Sequence, residues 1–164
     1  MVGQAAQSRF RSFALSYYEI DAVQELCLHL QDSKGADVPM LLWCVWLGVE
    51  GVRCDEPLMR GAVQFSRTWR TERVNPLREI RISWRDSGDA QVEAARKHVA
   101  AAEQSIELIQ MEALADLPNS AASGADTSVG AVAALAENLG LYAEIAGFDL
   151  IKEEMRVFAE AVAG

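Results

Sequence analysis

An all-α fold is predicted by three observations. Apolar residues recur at intervals of three and four along nearly the whole chain, no run alternates strictly between apolar and polar, and Asp, Asn, Pro and Gly fall where helices start or stop. The expected architecture is a single-domain bundle of about seven helices around a central hydrophobic helix at about residues 38–50. The domain reading has a core over 1–117, a small-residue linker over 118–128, and C-terminal helices over 129–164 that pack on the core. A chain of 164 residues buries roughly 70% of its unfolded surface, so it folds without disulfides or metals as staples.

Phe10, Phe13, Ala14 and Tyr17 mark a first helix. Asp21 and Gln24 have the spacing of a capping box ahead of a second, whose inner face is Val23, Leu26, Cys27 and Leu30 and which stops near Gly35. The stretch GADVPMLLWCVWLGVEG then holds the most apolar segment. Asp37 is suited to cap it, because its carboxylate accepts from first-turn amides, and Pro39 is tolerated where amides lack helical partners. From Val38 to Val49 there are twelve residues, about 18 Å of helix against a bilayer core of about 30 Å, so no membrane span is expected. Trp43 and Trp46 share a face and are expected to pack in the core, their indole N–H groups seeking Asp32, Asp37 or a carbonyl.

A fourth helix is expected from Asp55 and Pro57, with Leu58, Ala62, Phe65 and Trp69 on one face. NPLREIRISW suggests a fresh start, with Asn75 as cap and an inner stripe of Leu77, Ile80 and Trp84. Arg78, Arg81 and Arg85 stack beside that stripe. Val92, Ala95, Val99, Ala102, Ile106, Ile109 and Ala113 have heptad spacing and predict a long helix ending before Pro118. After the linker, Val129, Val132, Leu135 and Leu139 suggest one helix, and Ile151, Met155, Phe158 and Val162 a last one, with Gly140 and Gly147 leaving two or three helices open.

The net charge of -9 is unevenly spread. Residues 60–85 carry seven arginines against two glutamates, a basic island between acidic flanks. Such density suits phosphate, nucleic acid or an acidic protein surface. With Trp69 and Trp84 on inner faces and a polyanion repelled by the whole, nucleic acid is not the expected partner. Cys27, Cys44 and Cys54 have no disulfide or zinc spacing, and the N-terminus has no secretory pattern, which together predict a cytoplasmic protein without metal. His29 and His98 have no partner at ligand spacing, and a lowered pKa is conceivable only at Cys54, near a helix start. No nucleophile elbow, Walker loop, zinc motif or dinucleotide fingerprint is present, and no cofactor is expected.

The residues Leu30-Gln31-Asp32, Gly35, Asp37-Val38, Trp43-Cys44-x-Trp46-Leu47, Trp69-Arg70 and Pro76-Leu77-Arg78-x-x-Arg81 together resemble the domain of unknown function 2390 family, a proteobacterial family, over roughly residues 10–115. The resemblance implies a helical fold and no established activity. One position departs from the family pattern: Pro39 stands where the family has Asn.

Two functional expectations follow. In the first, an interaction or adaptor protein meets an acidic partner, or a second copy of itself, through an arginine face of Arg70, Arg78 and Arg81. In the second, a small-molecule binder or small enzyme uses a polar corner of Gln31, Asp32, Asp37 and Arg70 beside Trp43.

Overall fold

Helical periodicity is realised throughout the computed structural model, which describes residues 2–120 and 130–164. Its helices are α1 (Val2–Tyr18), α2 (Asp21–Lys34), α3 (Val38–Val49), α4 (Glu56–Trp69), a π-helical turn (Arg70–Val74), α5 (Asn75–Ser83), α6 (Ala90–Ser120), α7 (Ala131–Ala146) and α8 (Lys152–Ala163). Because α4, the π turn and α5 run on without a break, the described residues form seven continuous helical segments and no strand. No described helix is long and apolar enough to cross a membrane.

α3 is the central element. Every residue from Pro39 to Gly48 is buried, as its unbroken apolar run requires. Its neighbours are α1, α2, α4, α6 and, most extensively, α7. A Cβ on Gly48 would lie 2.5 Å from the backbone nitrogen of Leu135, so only glycine lets α3 and α7 approach this closely. Beside that contact the buried Asn138 of α7 joins three segments. Its Nδ2 donates to the carbonyls of Val52 (2.9 Å) and Cys44 (3.3 Å), and its Oδ1 accepts from the Cys54 amide (2.8 Å). Trp43 and Trp46 are packed in the core, Trp46 stacked on Phe10 at 5.0 Å, and neither indole N–H has a hydrogen-bond partner.

The C-terminal helices number two: Gly140 is absorbed within α7, and Gly147 in the left-handed region ends it. α8 is tied to the core by Tyr17 Oη, which donates to the Phe158 carbonyl at 2.7 Å, and by Lys34 Nζ, 2.8 Å from both carboxylate oxygens of Glu154. α6 runs on through Pro118 to Ser120, rather than ending before it, since a proline in a last turn forfeits only one helical hydrogen bond. Val129 and residues 121–128 of the expected linker lie outside the described residues.

Several local expectations need correction. Asp21 is the first residue of α2 and makes no side-chain cap. Asn75 does not start a new helix: it is helical, and its amide reaches back five residues to the Arg70 carbonyl. Pro76 supplies the reason, because a proline in a continuous helix lacks an amide and crowds the carbonyl four residues earlier, and the wider π turn accommodates both. The inner stripes of α5 and α6 are also rotated from those expected. Ile109 and Trp84 are 46% and 38% exposed and Ala102 is exposed, while Glu103, Gln110, Met111, Leu114 and Ala115 are buried. The two helices meet through Arg78 and Arg81 on one side and Glu103 on the other, so the contact is polar where an apolar seam is expected.

Candidate functional site

The cap expected at α3 is not made. Asp37 occupies the N-cap position with extended backbone, yet its side chain bonds no first-turn amide. Pro39 removes one of the amides such a cap would use, and the carboxylate turns inward. There Oδ2 accepts from Gln110 Nε2 at 2.6 Å, and Oδ1 lies 3.8 Å from Arg70 Nε. The Asp37 amide donates to the hydroxyl of Tyr142 at 2.9 Å. One turn of chain thus joins α3, the π turn, α6 and α7 around a carboxylate only 7% exposed.

Burial pushes the Asp37 carboxyl up to about 6. The charge of Arg70, the Gln110 hydrogen bond, the charge of Arg78 and the nearby Ser66 hydroxyl all favour the ionised form and only partly offset that penalty. The Ser66 Oγ, 3% exposed, falls short of a hydrogen bond and is left without any partner, as is Gln110 Oε1. The guanidinium of Arg70 makes no hydrogen bond among the described residues; Asp37 is the one described carboxylate within 4 Å of it, farther off than a charge-assisted hydrogen bond of about 2.7–2.9 Å would place it.

Asp37, Ser66 and Arg70 line a cleft of about 330 Å³ between the start of α3, the end of α4 with the π turn, and α7. Ser66, Arg67, Arg70, Thr71 and Asn75 supply its polar groups from α4, the π turn and α5, Met40, Val63 and Ala146 its apolar surface, and Asp37 and Tyr142 further polar groups from the start of α3 and from α7. Arg67 also donates to the Ala146 carbonyl at 3.3 Å, bracing α4 against the end of α7. The π turn brings Arg70 to the cleft while leaving Arg78 free to face α6; such turns often mark functional positions in helices.

The expected site residues part company here. Asp37 and Arg70 are brought together, whereas Asp32 is exposed on α2 and lines neither this cleft nor the next. Trp43 is wholly buried in the core and also lines neither. Gln31 lines a second, more apolar cleft of about 460 Å³ among α1, α2, α3 and α6, together with Arg78 and Glu107. Arg78 is bound by Glu103 at 2.9 Å and Glu107 at 3.1 Å, and Arg81 by Glu103 at 2.5 Å. Burial pushes Glu103 up, but the hydrogen bonds from Arg81 and Arg78 outweigh it and hold the carboxyl below the usual range. Glu107 is displaced upward by burial, with Arg78 opposing.

Ser66, Gln110 and Tyr142 are functional candidates that sequence reasoning passes over. Glu103, Glu107 and Gln110 do recur at intervals of four and three, a polar stripe facing the arginines that was legible in principle. Nothing local marks Ser66 or Tyr142. Burial pushes the Cys27 and Cys54 thiols up to about 12, so the helix start near Cys54 does not lower its pKa. Among the described residues no group of three His, Cys, Asp or Glu is placed to hold a metal ion.

No curated protein and no solved structure matches the chain. The family described as "Protein of unknown function (DUF2390)" matches residues 9–114, from within α1 to the end of the Glu103–Gln110 stripe and just beyond. That stretch carries Asp37, Ser66, Arg70 and Gln110, leaves Tyr142 outside, and covers well over half of the sequence, so the chain belongs to the DUF2390 family.

Proposed function

We propose that the cleft at Asp37 and Arg70 binds a small molecule, making this chain a helical ligand-binding protein or small enzyme. One observation carries the reading. A buried carboxylate, an unpartnered buried hydroxyl on Ser66 and an arginine without a hydrogen bond converge on the same open cleft. Each is costly to keep in that state: an unsatisfied buried polar group costs about 1–3 kcal/mol, and a buried charge more unless it is paired. Convergence of such groups is the physical mark of a site whose partner is a ligand.

The alternative, an arginine face for an acidic partner or a second copy, draws its support from the basic island. Arg78 and Arg81 are already engaged by Glu103, so an incoming acidic surface would have to displace a bridge it cannot improve upon. Arg70 makes no hydrogen bond among the described residues, and it faces the cleft. Three free thiols support a reducing compartment, hence the cytoplasm, as the place of action.

Protein-observed amide NMR with a library of small polar fragments tests the cleft reading. Binders should shift amides of Asp37, Ser66, Arg70 and Tyr142 together, and Arg70→Met should abolish those shifts. Shifts confined to other surfaces would overturn it.

A further inference from the structure

Two opposite charges, Asp37 and Arg70, line the cleft, and their spacing constrains what fits between them. Asp37 Oδ1 and Arg70 Nε are 3.8 Å apart, close enough to feel each other strongly and too far to share a hydrogen bond. A ligand bearing only an anion would meet Arg70 and be repelled by Asp37. A ligand bearing only a cation would meet Asp37 and be repelled by Arg70. The charge pattern is matched by a molecule with both charges separated by one carbon.

Resting on the small-molecule reading of this cleft, we infer that its ligand is a zwitterion of the α-amino-acid class. The carboxylate would lie against Arg70 and Arg67, with Thr71 and Asn75 on the same wall, and the ammonium between Asp37 Oδ1 and Ser66 Oγ. This pose uses what the fold leaves idle. Arg70 gains acceptors for its unused donors, and Ser66 Oγ gains the partner it lacks. Tyr142 Oη, which accepts from the Asp37 amide, keeps its own proton for a ligand oxygen. Met40, Val63 and Ala146 receive an apolar side chain, and about 330 Å³ accommodates a ligand of amino-acid size.

Calorimetric titration with the twenty protein amino acids tests the class, together with the deaminated acid and decarboxylated amine of the tightest binder, while amide NMR reports where each binds. The expected result is cleft binding by at least one amino acid, weakened about tenfold or more by loss of either charge from the ligand. Asp37→Asn should then narrow the gap between the amino acid and its deaminated acid, while Arg70→Gln should narrow the gap to the amine. Asp37→Asn keeps side-chain size and Arg70→Gln keeps a polar side chain without the charge, and a native-like amide spectrum establishes the folding of both. Cleft binding by the acid or the amine alone as tight as by the amino acid overturns the zwitterion class and leaves the cleft standing. Cleft shifts with none of these probes, but with other fragments, also overturn the class; shifts with no probe and no fragment overturn the cleft reading as well.

Discussion

Replacing Asp37 by Asn should change how stability depends on pH more than any other single substitution in the cleft. The native carboxyl titrates at about 6 against 3.8 for an unperturbed Asp, because the fold buries it. A proton therefore binds the folded chain more tightly than the unfolded one. Asp37 contributes its full stability below pH 3.8, and that contribution is lost as pH rises through 6. The interval from 3.8 to about 6, at 1.36 kcal/mol per pH unit, makes the loss about 3 kcal/mol. Charged or titratable groups facing the carboxyl come from each neighbouring element: Arg70 on the π turn, Arg78 on α5, Glu107 on α6 and Tyr142 on α7. Asn keeps the shape without the proton. Urea denaturation of both proteins between pH 4 and 7.5 should show Asp37→Asn gaining about 2 kcal/mol relative to the parent across the window, since part of the loss is already complete at pH 4. A carbon-13 titration of the Asp37 carboxyl should give a midpoint near 6 directly. A stability difference independent of pH, or a midpoint in the ordinary carboxylate range, would refute the reasoning. A loss of this size at neutral pH is the kind of cost proteins carry at functional positions, and a ligand cation would recover part of it.

Gly48→Ala should destabilise the fold by about 3 kcal/mol or more, since its methyl would strike the Leu135 backbone and force α3 from α7; the denaturation midpoint reads this, and a change near zero would show that the helices can separate freely. Asn138→Leu should cost about 3 kcal/mol by orphaning the Val52 carbonyl and the Cys54 amide, visible as faster amide hydrogen exchange at Cys54. Glu103→Gln should cost about 2 kcal/mol at neutral pH by weakening the hold on Arg78 and Arg81. Because the Glu103 carboxyl is held low, this deficit should shrink as the parent loses the same bridge on acidification, and a deficit that grows on acidification would contradict the assignment. Cys27 and Cys54 should react with a thiol-specific disulfide reagent at neutral pH only as fast as the chain unfolds, whereas rapid labelling of the native protein would show a thiol with an ordinary pKa.

Periodicity made the helices and the central segment legible, because burial of α3 on all sides leaves an apolar run that no surface helix shows. The fault lay in phase. Along α6 the regularly spaced Ala102 and Ile109 look like the inner face, but Glu103 and Gln110, one position on, are buried. A helix rotates by about 100° per residue, so a single-position error turns a seam into a surface. Burial of those polar groups depends on partners far away in sequence: Arg78 and Arg81 for Glu103, Asp37 for Gln110. The π turn compounds the problem, since five residues bridged over the wider turn shift everything after Trp69, and its one sequence cue is Pro76. Of the polar corner, Asp37 was within reach because it carries charge beside an unusual apolar stretch, and Arg70 because it belongs to the basic island of residues 60–85. Ser66 and Tyr142 were not, because their interest arises from where four helices place them.

The cleft can be tested without choosing a ligand in advance, by incubating the folded protein with a small-molecule cell extract and weighing the intact complex by native mass spectrometry. The account predicts an added mass of a small amphoteric molecule on the parent chain and its loss from Arg70→Met of unchanged amide spectrum. No added mass on the parent, or equal retention by the variant, would contradict it.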